Sequence, residues 1–144
     1  MTSILKIYCD GACSGNPGKG GWGVILIWGD IVKEISGYEV ETTNNRMEMK
    51  AAIEGLKIVK KNVDIEIYTD SKYLCEGITN WIHKWKKNRW LSKSKIIKNI
   101  DLWQELDVLA NNFNISWNWV KGHNGDFYNE RADKLATNAI KKMC

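Results

Sequence analysis

Ile65 to Tyr73 reads I-E-I-Y-T-D-S-K-Y, and this stretch narrows the possible folds more than any other. Ile65, Ile67 and Thr69 alternate with Glu66 and Tyr68, the period of a strand. The alternation stops at Asp70-Ser71, a pair suited to starting a helix. A strand handing over directly to a helix belongs to an α/β sheet, where ligands bind in the crevice at the carboxyl ends of the strands. Asp70 sits at such an end. Alone it reads as a helix cap, so its meaning depends on what else converges there.

Upstream, Ile4 to Cys13 reads as a strand with Asp10 near its middle, where aspartate is disfavoured. A turn at Ser14-Gly15-Asn16-Pro17-Gly18, a strand from Gly20 to Trp28, a Gly29-Asp30 turn and a strand from Ile31 to Val40 make an antiparallel meander. Gly18, Gly20 and Gly23 match G-x-G-x-x-G, but they run into a strand and not a helix, so they read as turn and close-packing residues. The spacing predicts a helix over 42–61, capped by Thr42 or Thr43. Glu48 shares a face with Ala52, Gly55 and Val59. Desolvating a carboxylate is costly, so an inward Glu48 points to a site.

Beyond Asp70, a short helix is expected to about Ile78, then an amphipathic helix from Trp81 to Arg89 and a basic loop over 91–98. A further helix starts at Asn99 or Asp101 and ends near Asn111-Asn112. Asn114 to Val120 alternates as a last strand. A loop from Lys121 to Asp126 leads to a closing helix, Asn129 to Lys141. Asp133 lies beside that helix's apolar stripe of Ala132, Leu135, Ala136, Ala139 and Ile140.

No repeat or linker interrupts the 144 residues, so one domain, 1–144, is expected. Four cysteines without C-x-x-C and two histidines argue against a disulfide framework and a zinc site. No apolar run spans a membrane and no signal-peptide core precedes Asp10, so a cytoplasmic protein is expected. The net charge is +4, but Trp81 to Lys98 carries seven cations (Lys84, Lys86, Lys87, Arg89, Lys93, Lys95, Lys98) and no acid, leaving −3 on the rest. A basic segment on a slightly acidic body suits a polyanionic partner. The tryptophans beside it suit packing on sugars and bases.

Asp10, Glu48, Asp70 and Asp133 thus form a set. Four like charges brought together raise one another's pKa, and are stable only when partly protonated or holding cations. An all-oxygen donor set favours magnesium or manganese over zinc. The motifs D-G-A-C-S-G-N-P-G at 10–18, T-T-N-N-R-M-E at 42–48, Y-T-D-S at 68–71, W-I-H-K-W-K-K at 81–87 and W-V-K-G-H-N-G with N-E-R-A-D within 117–133 resemble those of bacterial type 1 ribonuclease H. The resemblance implies an α/β, RNase H-like fold: a central mixed five-stranded sheet, three antiparallel then two parallel strands, flanked by helices. It implies a monomeric endoribonuclease that hydrolyses the RNA strand of RNA–DNA hybrids, leaving 5′-phosphate and 3′-hydroxyl ends.

Carried onto matching positions, the resemblance makes Asp10, Glu48, Asp70 and Asp133 the ligands of two Mg2+ (or Mn2+) ions about 4 Å apart, with Asp10 bridging. His123 assists proton transfer or product release. Gly11, Cys13, Asn16, Asn44, Asn45 and Glu48 line the minor groove and sense the 2′-hydroxyl. Asn16 and Thr43 hold a DNA phosphate. Trp81, Lys84, Trp85, Lys86, Lys87 and Trp90 match a basic protrusion, about 81–98, that grips the DNA strand. Two positions depart from the pattern. Lys72 stands where glutamine is usual and favours a phosphate, and Phe127-Tyr128 stands where proline is usual. A non-catalytic hybrid-binding module gains nothing from the acidic cluster, and a DNA-cutting integrase or resolvase relative fits N-N-R-M-E and the protrusion less well.

Overall fold

Period-two alternation becomes five strands in the computed structural model, which describes residues 3–91, 97–122 and 126–142. β1 (Ile4–Gly15), β2 (Gly18–Trp28) and β3 (Ile31–Thr42) form the antiparallel meander; β4 (Asp64–Thr69) and β5 (Asn114–Trp119) follow. The sheet order is β3-β2-β1-β4-β5, with β1–β4 and β4–β5 parallel. Three antiparallel strands followed by two parallel ones is the arrangement expected from the motifs. All three meander strands are longer than their apolar cores, because paired backbone continues to Gly15↔Gly18 and Gly18↔Thr42.

Alternation on β1 sorts side chains between two layers. Leu5, Ile7 and Cys9 join the main core with Ile65 and Ile67 of β4. That core lies under α1 (Asn44–Lys57) and α4 (Ile100–Ala110). Tyr8 lies in the smaller core on the opposite face, with Ile25 and Ala132 of α5 (Phe127–Lys141). The glycines of β2 admit α5: a Cβ on Gly23 would meet the Ala132 carbonyl oxygen at 2.6 Å. Close packing is therefore the role of at least this glycine of the G-x-G-x-x-G run.

Three helix boundaries differ from expectation. α1 ends at Lys57, not Lys61, because Ile58, Val59 and Val63 leave the helix to pack on the core. Downstream of Ser71 the helix does not stop near Ile78. α2 (Lys72–Glu76) passes through a π-helical turn, Gly77–Trp81, into α3 (Ile82–Lys87). No proline breaks it, and Gly77 is where Trp103 of α4 packs so closely that a Cβ would overlap the indole. α5 starts at Phe127, two residues early, because the Asp126 carboxylate accepts from the backbone N–H groups of Tyr128 and Asn129 at 3.0 and 3.1 Å. Phe127-Tyr128 thus forms a capped first turn, with Tyr128 beside Tyr8 at 5.3 Å between ring centroids.

Candidate active site

Three of the four carboxylates meet where the middle of β1 lies beside the end of β4 and the start of α1. Asp10 lies on the central strand and is 4% exposed. Glu48 lies near the start of α1 and is equally buried. One backbone group ties them: the Gly11 N–H donates to Asp10 Oδ1 at 2.9 Å and, in a short bond, to Glu48 Oε1. Only glycine permits this approach, because a Cβ at position 11 would overlap the backbone of Met47 and Glu48.

Asp70 follows β4 directly. The cap of α2 is Ser71, whose Oγ accepts from the Leu74 N–H at 3.1 Å, so the Asp70 carboxylate is left free of capping. Its own carbonyl accepts from the indole N–H of Trp119 at 3.0 Å. A side chain on Gly122 would crowd it, with a Cβ 2.8 Å from Asp70 Oδ2. One carboxylate oxygen from each of Asp10, Glu48 and Asp70 lies within 4.8 Å of the others. Asp133, half-buried on α5, is not one of these three; its charge helps to raise the Asp10 carboxyl. His123 lies outside the described residues.

Burial and like charge set the electrostatics. Desolvation first, then the charges of Asp70 and Asp133, push the Asp10 carboxyl up to about 8, against a lowering hydrogen bond with Glu48. Glu48 is pushed well above the carboxylate range by burial and by Asp10. The Cys9 thiol, just beneath, is also raised, by burial and then by Glu48 and Asp10. Carboxyls this strained by one another suit a small, hard cation with oxygen ligands. The donor set fits: it is all oxygen, already gathered, and buried at Asp10 and Glu48 with Asp70 half-buried.

The residues expected to touch substrate fall into three groups. Asn16, on the β1–β2 turn, accepts the Asn44 N–H on its Oδ1 at 3.0 Å. Thr43 caps α1 through the Arg46 N–H at 3.3 Å, and the Cys13 thiol meets the Thr42 carbonyl at 3.4 Å. These contacts join the turn and the start of α1 into one surface, with Asn44 and Asn45 exposed beside Glu48.

On α3, Lys84 and Lys87 are exposed, while Lys86 pairs with Asp107 at 3.3 Å. The tryptophans beside them are committed inward. Trp81, Trp85 and Trp90 pack against the main core, and Trp85 lies 5.7 Å from Trp103 between centroids. The structure gives these rings a packing role that the amphipathic pattern did not reveal. Lys93 and Lys95 lie outside the described residues. The third group is Lys72, whose Nζ sits 4.8 Å from the centroid of Trp119. Trp119 had no role in the sequence reading; its only signal was an indole two residues before K-G-H.

Comparison with known proteins follows this geometry. The RNase H family model matches residues 2–141. A ribonuclease H of Acetivibrio thermocellus is 56% identical over 140 residues, 96% of this chain and 95% of that one. LC9-RNase H1, described as a type 1 RNase H with the type 2 active-site motif, is 32% identical with a TM-score of 0.91, over 100% of this chain and 75% of that one. LC11-RNase H1, solved in complex with an RNA/DNA hybrid, shares the fold at 24% identity and a TM-score of 0.72, over 96% of this chain and 98% of that one.

Proposed function

This chain belongs to the RNase H family and is a ribonuclease H acting on the RNA strand of RNA–DNA hybrids, and we propose that Asp10, Glu48, Asp70 and Asp133 carry that hydrolysis by holding two Mg2+ ions. The observation that carries the reading is the convergence of Asp10, Glu48 and Asp70 within 4.8 Å. Mn2+ would suit the same oxygens. Bound there, the cations supply an activated water and stabilise the leaving 3′ oxygen.

The chain's own residues do the positioning. Gly11 fixes Asp10 and Glu48 against each other through one N–H. Ser71 takes over capping from Asp70. Asp133, half-buried on α5, supplies the fourth carboxylate from the far side. His123, by the K-G-H-N-G motif around it, moves a proton or helps product leave.

Gly11, Cys13, Asn16, Asn44, Asn45 and Glu48 would read the minor groove and the 2′-hydroxyl, with Asn16 and Thr43 on a DNA phosphate. Lys84, Lys86 and Lys87 would grip the DNA strand, with only the outer edges of Trp81, Trp85 and Trp90 available to it. We take 1–144 as one catalytic domain that works as a monomer, since the four carboxylates come from one chain. Free Cys9, Cys13 and Cys75 suit a reducing, cytoplasmic setting. Among the described residues no helix is long and apolar enough to cross a membrane.

The test is a labelled RNA–DNA hybrid beside matched RNA and DNA duplexes, with Mg2+ or EDTA. Cutting of the hybrid's RNA strand alone, with Mg2+ alone, is expected, and Asp70→Asn should bind hybrid without cutting it. Comparable turnover by Asp70→Asn would remove the two-ion reading.

A further inference from the structure

β4 and β5 run parallel to Thr69↔Trp119, and one more backbone bond, Val120 N–H to the Thr69 carbonyl at 2.8 Å, closes the ladder. The Asp70 carbonyl is the next acceptor, and a side chain takes it: the Trp119 indole N–H, at 3.0 Å. The rest of that indole is not core. Trp119 is 45% exposed, and the ammonium of Lys72 lies over its ring. A cation over an indole face is held by the ring's quadrupole while its hydrogens stay available to another partner. Among the described residues Lys72 forms no ion pair; Glu76, in the same shallow depression, is instead hydrogen-bonded by Asn80 at 2.9 Å.

We propose that Trp119 is a positioning residue with two separable roles: its N–H holds the backbone of Asp70, and its ring seats Lys72 as a phosphate contact on the strand being cut. The inference rests on the ribonuclease reading. Lys72 follows Asp70 by two residues, so a phosphate it meets belongs to the strand lying on the carboxylates. That distinguishes it from Lys84 and Lys87, about three to four helical turns further along the chain. A glutamine at position 72 could not supply a charge there; lysine with an indole beneath it can.

The two roles separate by substitution. Trp119→Phe keeps a ring for Lys72 and removes the N–H. Lys72→Met keeps the stem and removes the charge. With wild-type protein first shown to cut the hybrid in Mg2+, three quantities are measured for each variant: kcat and KM, the salt slope of hybrid binding in EDTA, and the rise in Tm on adding Mg2+.

Trp119→Phe should lower kcat about tenfold, the scale of one hydrogen bond, and shrink the Mg2+-induced rise in Tm while keeping the salt slope. Lys72→Met should raise KM and reduce the salt slope by about one, and Lys72→Arg should restore that slope. The inference is overturned if Trp119→Phe leaves both kcat and the Mg2+-induced Tm rise unchanged, or if Lys72→Met leaves the salt slope intact. Absence of cutting by the wild-type protein would instead sink the ribonuclease reading on which it stands.

Discussion

Replacing Asp10 by asparagine should stabilise the cation-free protein while abolishing its activity. In the unfolded chain an aspartate titrates near 4; folded, Asp10 is raised to about 8 by burial and by the charges of Asp70 and Asp133. The folded state therefore binds this proton more tightly. Its stability is full below pH 4 and falls as pH rises towards 8, because over that interval only the folded chain carries the proton. Four units correspond to a penalty of about 5 kcal/mol at pH 8. Asparagine removes the charge but leaves buried amide donors without assured partners, which costs about 1–2 kcal/mol. The net gain at pH 8 is then about 3 kcal/mol, or roughly 6–12 °C in Tm for a chain of this size.

Thermal unfolding of wild-type and Asp10→Asn in EDTA, at pH 4.5, 6 and 8, measures it. The difference should be small at pH 4.5, grow with pH, and shrink in Mg2+, which binds the wild-type carboxylates and stabilises the folded state by mass action. A gain independent of pH, or a loss at pH 8, would refute the claim that burying the Asp10 charge beside other carboxylates costs stability.

Gly11→Ala should lose hybrid cleavage and cost several kcal/mol, since the added Cβ overlaps the backbone of Met47 and Glu48; activity assays and denaturant unfolding report both. Thr42→Val should raise stability by about 1 kcal/mol, because the Thr42 hydroxyl is buried with no partner among the described residues; chemical denaturation reads it. Trp103→Ala should cost about 3–5 kcal/mol, as Trp103 is fully buried against Gly77, Tyr73 and Trp85, again by denaturation. Alanine at Lys84, Lys86 and Lys87 together should flatten the salt dependence of hybrid binding. Singly, Lys86→Ala should flatten it less than Lys84→Ala, since Lys86 is already paired with Asp107.

Two of the carboxylates were readable in sequence because each breaks a rule that burial enforces. Aspartate is disfavoured within a strand, and glutamate on an apolar helix face is costly, so Asp10 and Glu48 mark themselves. Asp70 marks itself by its place at a strand end, though the sequence could not say whether it or Ser71 would cap α2. Trp81, Trp85 and Trp90 carry no such mark. An aromatic on an amphipathic helix has the same spacing whether it faces a core or a partner, and here the core includes Trp103, eighteen residues beyond Trp85 along the chain. The π-helical turn at Gly77–Trp81 was hidden for the same reason: Gly77 gives way to the Trp103 ring, a contact no local pattern contains. Trp119 is the sharper case. Strand alternation assigns it a face, but its N–H is directed by where the β4–β5 ladder ends, one residue beyond Thr69. The residues proposed to perform chemistry thus announced themselves through the cost of burying charge, while those proposed to hold it in place cost nothing locally and became visible only when two strands and a helix were set side by side.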